Sequence, residues 1–332
     1  MTSDSSLRNK KVLITQTPFS DNSKKAINYL KKNNIDFTLN PFGRIPTEEE
    51  MVGLVSNYAI ILAGTAPITS QVIENAPNLK LIARAGVGLD NIDLNYAKTR
   101  EIEVTYTPDA PAPAVAEFTV GLMLVLLRHI GLSDRNIHNG QWKKYIGRRL
   151  RKCVVGVIGV NRTGKKLIQL ISGFGPSIIA NDIRPDYRFG KNYDFNWVDK
   201  KTLLSNSDII TLHVPLTDDT HNLIGRREFD LMKSDSILIN TSRGGIVNED
   251  ALIRALNSGK IKGAALDVFE REPYDGPLRE VQNCILTSHM ASATSDCLEA
   301  MEMGAAKEIV RFLKGKPLQN PIPESEYEIQ PQ

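Results

Sequence analysis

Short runs of consecutive apolar residues alternate along this chain with longer stretches whose apolar positions recur at helical spacing. The runs at 12–14, 36–39, 59–62 and 79–83 read as strands, and 23–32 and 70–75 as helices. A strand buried on both faces loses the apolar–polar alternation of a half-exposed one, so unbroken runs separated by helices imply a parallel sheet with helices over both faces. The rhythm breaks at 107–113, where Pro108, Pro111 and Pro113 fall within six residues. Such a segment cannot continue a helix or a central strand and marks a crossing between domains. One long helix is predicted over 114–130; it is apolar on most faces and should be buried on most sides. A second alternation follows, with strands at 154–158, 178–181, 209–212, 237–240, 263–267 and 284–287. Six strands in this order fit a doubly wound sheet. The helix at 296–313 is expected to return to the first domain, making that domain discontinuous: 1–107 with 293–332, against 108–292 for the second.

Composition narrows the classes without changing this picture. At 332 residues the chain can form two domains, and a net charge of +3 without an extended Lys/Arg patch argues against a nucleic-acid partner. The densest basic cluster, Arg148, Arg149, Arg151 and Lys152, reads as a solvated connector. Cys153, Cys284 and Cys297 are scattered and odd in number, which suits a reducing compartment, and neither they nor the five histidines show metal-ligand spacing. Residues 1–10 are polar and read as a disordered tail without a signal peptide, and the longest apolar stretch, at 120–127, falls far short of the ~20 residues a membrane span needs. The expectation is a cytoplasmic protein with no membrane partner.

The chemistry gathers just past the strands. In an open α/β sheet, ligands bind beyond the carboxyl ends of the strands. Arg243 follows the run at 237–240, Glu272 follows 263–267, and His289 follows 284–287, so the three should face one crevice. An anion clamp, a carboxylate and a titratable imidazole are what acid–base work on a small carboxylic acid requires, the carboxylate favouring the protonated ring. Taken alone, Glu272 and His289 each have an equally good structural reading; their shared placement with Arg243 favours the chemical one. Strand 154–158 runs into Gly159-Val160-Asn161-Arg162-Thr163-Gly164 and then an amphipathic helix. This is a dinucleotide fingerprint with its first and third glycines in place and Asn161 at the second, a residue that tolerates a left-handed backbone but whose side chain could crowd a pyrophosphate. Asp182 ends the next strand, where a carboxylate can accept from ribose hydroxyls and repel a 2′-phosphate; that favours NAD over NADP, with nearby Arg184 moderating the preference. His213-Val214-Pro215 and Thr241-Ser242 end further strands and should line the same crevice, although a buried structural role for His213 fits equally well.

The chain resembles the D-isomer-specific 2-hydroxyacid dehydrogenases, especially those similar to D-3-phosphoglycerate dehydrogenase. The matching stretches are 84–93 (Arg-Ala-Gly-Val-Gly-Leu-Asp-Asn-Ile-Asp), the glycine loop, 213–220, 240–252 with its Asn-Thr-Ser-Arg-Gly-Gly run, 263–273 and 286–291. The resemblance implies a substrate-binding domain from 1–107 with 293–332 and an NAD-binding Rossmann domain over 108–292. It implies that Arg243 binds the substrate carboxylate, that His289 is the proton donor and that Glu272 is its partner. It also implies that the backbone of Val87 and Gly88 lies near the substrate carboxylate, and that Arg162, Thr163, Asp182, Val214, Thr241 and Asp267 contact NAD, with Asp267 near the nicotinamide amide. Similar enzymes are homodimers or larger, with the long helix in the contact. Three positions depart from the family pattern: Asn161, Ser288 where proline is usual, and Ala63-Gly64-Thr65 where phosphoglycerate enzymes often carry an arginine. The expected activity is NAD-dependent interconversion of a small D-2-hydroxy acid and its 2-oxo acid, phosphoglycerate dehydrogenase-like, with glyoxylate/hydroxypyruvate reductase as the alternative. A non-catalytic NAD-binding regulator is the rival from another class, and a formate-type dehydrogenase would carry glutamine in place of Glu272.

Overall fold

The computed structural model describes residues 11–329; the segment 1–10, expected to be disordered, lies outside the described residues. In chain order the elements are β1 (Val12–Ile14), α1 (Lys25–Lys32), β2 (Phe37–Leu39), α2 (Glu48–Leu54), β3 (Ile60–Ala63), α3 (Ser70–Glu74), β4 (Leu81–Arg84), α4 (Leu94–Thr99), β5 (Glu103–Thr105), α5 (Pro111–Leu127) and α6 (Ile130–His138). There follow β6 (Val154–Ile158), α7 (Arg162–Ser172), β7 (Ser177–Asn181), α8 (Tyr187–Asn192), β8 (Asn196–Trp197), α9 (Lys200–Asn206), β9 (Ile209–Leu212) and α10 (Arg226–Leu231). The last elements are β10 (Ile237–Asn240), α11 (Glu249–Asn257), β11 (Gly263–Leu266), β12 (Cys284–Leu286), α12 (Ser295–Leu313) and α13 (Glu324–Ile329). The chain divides into two compact units, one running to Pro111 and resuming at Ala293, the other spanning Ala112–Ser292.

The first unit holds a five-stranded parallel sheet in the order β2-β1-β3-β4-β5. This is the flavodoxin-like order, with β1 at the point where the order reverses. The helix α12 packs on α1, β3 and β4, so the chain's return supplies part of this unit. Strand β5 was not foreseen, because Glu103-Val104-Thr105 is a three-residue edge strand with an exposed glutamate rather than an apolar run.

The second unit holds seven parallel strands in the order β12-β11-β10-β9-β6-β7-β8. Successive residues of its central strands enter opposite layers: Ile237 and Ile239 of β10 join one core cluster with Val155, Val157 and Ile209, while Leu238 joins another with Ile210, Leu212 and Leu266. Both faces are buried, which explains why these strands read as unbroken apolar runs. The seventh strand, β8, is a two-residue edge piece without a pattern of its own. Because β6 lies between β7 and β9, the turn after β6 sits where the strand order reverses, the place where open α/β sheets take ligands.

The region predicted as one helix over 114–130 is two. α5 starts at Pro111, with Pro111 and Pro113 in its first turn, where proline's missing N–H and fixed φ cost nothing. It ends at Leu127, and His129, in the left-handed region with φ 54°, turns the chain into α6. Leu122, Met123 and Leu127 enter the core of the second unit, whereas α6 buries no residue. Among the described residues no single helix is long and apolar enough to cross a membrane; α5 and α6 reach that length only as a pair bent by 63°.

Candidate active site

Strands β10, β11 and β12 are neighbours in the sheet, so the segments leaving their carboxyl ends lie side by side. Arg243 leaves β10, Glu272 leaves β11 and His289 leaves β12. The turn carrying Arg243 approaches the segment after β11 closely, since a Cβ added at Gly244 would stand 1.9 Å from the Phe269 carbonyl oxygen. Only glycine fits there. His289 Nδ1 and Glu272 Oε2 are 2.7 Å apart, and Glu272 Oε1 accepts from the Phe269 amide at 3.1 Å, which fixes the carboxylate from the opposite side. Both side chains stay open to a ligand, at 48% and 36% exposure. An ionised carboxylate can only accept, so His289 donates through Nδ1–H and presents Nε2 outward.

His289 itself has φ 51°, a conformation an L-residue rarely adopts without support from its surroundings. The support is Asp267, which is 1% exposed. Its carbonyl accepts from the His289 amide at 2.8 Å, and its carboxylate accepts from Thr287 Oγ1 at 2.6 Å and from the Met290 and Ala291 amides at 2.9 Å each. The resemblance implied a nicotinamide contact for Asp267; within this chain its carboxylate is directed at the loop that carries the histidine. Ser288, at the family's usual proline position, is exposed and lies inside this braced loop.

The Arg243 turn is organised by Asn240, which is 1% exposed at the end of β10. Its Oδ1 accepts from the Ser242 amide at 3.1 Å and from Ser242 Oγ at 2.8 Å, and its Nδ2 donates to the Arg243 carbonyl at 2.8 Å. Arg243 Nη1 donates to the Ser242 carbonyl at 2.6 Å. Buried Thr241 pairs through Oγ1 with Thr119 of α5 at 3.0 Å. Thr119 and the bracing role of Asn240 escaped the sequence reading: a strand-end asparagine is a recognisable turn signal, but nothing in an apolar helix marks which threonine meets the turn.

At the turn after β6, the glycines fit a dinucleotide cradle. Gly159 has φ 88°, and a Cβ on it would stand 2.5 Å from the His213 carbonyl oxygen; one on Gly164 would stand 2.2 Å from the Gly159 oxygen. Asp182 is aimed at this turn, with Oδ2 accepting from the Val160 amide at 2.7 Å and Oδ1 from the Arg184 amide at 2.8 Å. Asn161 does not use a left-handed backbone: it is extended, with φ −72° and ψ −164°, and caps α7 with its side chain. Arg162 and Thr163 form the first helical positions. Val214 is partly buried, its Cγ1 lying 2.8 Å from the position of a Cβ on Gly159, and Pro215 follows it.

His213 is placed differently from a crevice residue. Its ring is buried, at 2% exposure, with Nε2 2.9 Å from Thr211 Oγ1, so it reaches the turn only through its carbonyl. Burial pushes its pKa from 6.5 down to about 4. A folded value below the unfolded one gives stability that is fully present above the unfolded pKa and is lost as pH falls through the folded pKa. Between pH 6.5 and 4 the loss is expected to reach on the order of 3 kcal/mol. Urea unfolding of a His213→Gln variant should show a flatter dependence over that window; an equally steep one would assign the loss to other groups.

In the first unit, Val87 and Gly88 lie on the loop leaving β4, with Val87 40% exposed. Arg84, buried at the end of β4, donates from Nε to the Gly88 carbonyl at 3.0 Å and from Nη1 to that of Ala85. Thr107 Oγ1 accepts from the Gly86 amide at 2.7 Å, so the loop is held from beneath. Among the described residues no group of three or more His, Cys, Asp or Glu side chains is arranged to hold a metal ion.

Comparison with known proteins shows the family. Residues 120–291 match the family described as "D-isomer specific 2-hydroxyacid dehydrogenase, NAD binding domain". The chain is 38% identical over 317 residues to D-3-phosphoglycerate dehydrogenase of Archaeoglobus fulgidus, covering 94% of this chain and 59% of that protein. It thus spans little more than half the length of that relative. It is 40% identical over 268 residues to glyoxylate reductase of Thermococcus litoralis, covering 78% of this chain and 81% of that protein. Among solved structures, a protein of Thermus thermophilus superposes with a TM-score of 0.86 at 29% identity, covering 94% of this chain and all of that one. The strand-end residues, the glycine turn and these matches together make the chain a member of the D-isomer specific 2-hydroxyacid dehydrogenase family.

Proposed function

We propose that this protein is an NAD-dependent dehydrogenase that interconverts a small D-2-hydroxy acid and its 2-oxo acid. The observation that carries the reading is the 2.7 Å His289–Glu272 pair beside the Arg243 turn, at three adjacent strand ends of the unit that also holds the glycine cradle. When bound at that cradle, the reduced nicotinamide supplies a hydride for the carbonyl carbon of the oxo acid. His289 Nε2 gives a proton to the carbonyl oxygen in reduction and takes it back in oxidation, while Glu272 balances the imidazolium charge. Arg243 holds the substrate carboxylate and so sets which carbonyl face is presented. The Val87 and Gly88 amides, on a loop braced by Arg84, are assigned to substrate binding. Arg162, Thr163, Val214, Pro215, Thr241, Ser242 and Asp267 are assigned to the cofactor side of the site, and Asp182, fixed by two backbone amides, favours NAD over NADP.

A reductase acting on unphosphorylated glyoxylate or hydroxypyruvate is favoured by the packing at Gly64, where a Cβ would stand 2.7 Å from Gln16 Cα. No side chain, and so no phosphate-binding arginine, fits at that position. We assign a homodimer contact to α5 and α6 and the segment after them, where Ile130, Ile137, Trp142 and Ile146 are each at least 50% exposed. Light scattering that returned the 36.8 kDa of one chain would remove that assignment.

The deciding assay follows NADH and NADPH oxidation with pyruvate, glyoxylate, hydroxypyruvate and phosphohydroxypyruvate. Turnover is expected with NADH and at least one unphosphorylated acid. Protein that binds NADH but turns over none of the four would instead be the non-catalytic regulator.

A further inference from the structure

The one fingerprint position at which this chain departs from glycine carries a side chain with three hydrogen bonds. Asn161 Oδ1 accepts from the Thr163 amide at 3.0 Å and from the Gly164 amide at 3.1 Å, while Nδ2 donates to the His213 carbonyl at 2.6 Å. Three neighbouring amides are engaged as well: that of Gly159 with the Asn181 carbonyl, that of Val160 with Asp182, and that of Lys165 with the Asn161 carbonyl. A helix N-terminus attracts phosphate because its first amides lack partners within the helix. Here a neutral side-chain oxygen already satisfies two of them, and the amide end of the same side chain ties the turn to the end of β9. Steric crowding was the expected consequence of Asn161; the geometry points to competition for donors.

We propose that Asn161 is an affinity-setting residue, a built-in cap that a dinucleotide pyrophosphate must displace from the Thr163 and Gly164 amides in order to bind. The proposal rests on the reading of Gly159–Gly164 as the pyrophosphate cradle. Its consequence is a cofactor held less tightly than at an all-glycine turn, with the cap returning as the cofactor leaves. Asn161's extended backbone is open to any residue, so the side chain can be removed without straining the turn.

Calorimetric titration of the full chain with NADH, ADP-ribose and adenosine tests this apart from turnover. Asn161→Gly is expected to bind NADH and ADP-ribose up to about 2-fold more tightly, the small difference that separates asparagine from glycine at an N-cap. Adenosine, which has no phosphate, should bind it as it binds the parent. Asn161→Ala, which drops the cap while keeping an L-residue backbone, should tighten both phosphate ligands about 2- to 30-fold, the range that loss of an N-cap side chain to alanine spans, and serves if the glycine variant folds poorly. Asn161→Asp should weaken both, by adding a carboxylate where the phosphates sit. Unchanged or weaker ADP-ribose binding by the glycine and alanine variants, or equal tightening toward adenosine, overturns the proposal while leaving the cofactor reading intact. If the parent and all variants bind neither NADH nor ADP-ribose, the cradle reading falls and this proposal falls with it.

Discussion

Replacing His289 with alanine is expected to lower kcat for 2-oxo acid reduction by about 10²- to 10⁴-fold, the usual contribution of a positioned general acid. The expectation follows from the orientation of the ring more than from the residue type. Nδ1 is committed to Glu272 at 2.7 Å, and Glu272 is held in turn by the Phe269 amide, so the imidazole has one direction in which to present Nε2. The backbone beneath it sits at φ 51° and is tied down by Asp267. NADH affinity should change little, since the glycine turn lies at the end of a different strand. Glu272→Gln keeps the shape of the side chain but removes the charge that balances the imidazolium, so reduction should slow without loss of the fold. A His289→Ala enzyme that reduced its best substrate at the parental rate would end the assignment of the proton donor.

How much of this site could be read in advance depended on whether the signal was local. Arg243, Glu272 and His289 were legible because apolar runs announce strands and the fold rule places chemistry after them. That β10, β11 and β12 are neighbours in one sheet is a matter of topology: the doubly wound order is completed by β8 as its third strand, which carries no apolar run of its own, and β12 is added at the opposite edge. The edge strands β5 and β8 were missed because a short edge element buries too little to need an apolar run. The start of α5 was missed because prolines that break a helix interior are welcome in its first turn. His213 shows the limit from the other side: histidine at a strand end suggested a crevice, yet the ring is turned into the sheet's buried layer beside Thr211. Asp267 carries a role invisible to spacing, since its three hydrogen-bond donors to the carboxylate come from residues 287–291, a strand away. Asn161 was visible as a departure, but whether it crowds or caps required its side-chain geometry.

Arg243 offers the second large effect. Its turn is fixed by the buried Asn240 side chain and by the close approach of Gly244 to the Phe269 carbonyl, so the guanidinium starts from a defined base. A guanidinium presents two parallel N–H donors that match both oxygens of a carboxylate, whereas an ammonium offers a point charge on a flexible stem. Arg243→Lys should therefore retain attraction but lose orientation, costing about 10- to 10²-fold in kcat/KM, on the scale of one charge-assisted hydrogen bond. Arg243→Gln removes the charge as well and should cost roughly 10²- to 10³-fold or more, the range for truncating a paired charge in a binding site. The two variants also separate binding from orientation. If Arg243 only holds substrate, KM rises and kcat is kept; if it also aligns the carbonyl for His289 Nε2, kcat falls as well, because a carbonyl oxygen out of line with the donor cannot be protonated as the carbonyl carbon is reduced. We expect both to change. An Arg243→Gln enzyme with parental kcat/KM, and an unfolding transition like that of the parent, would remove Arg243 from the site.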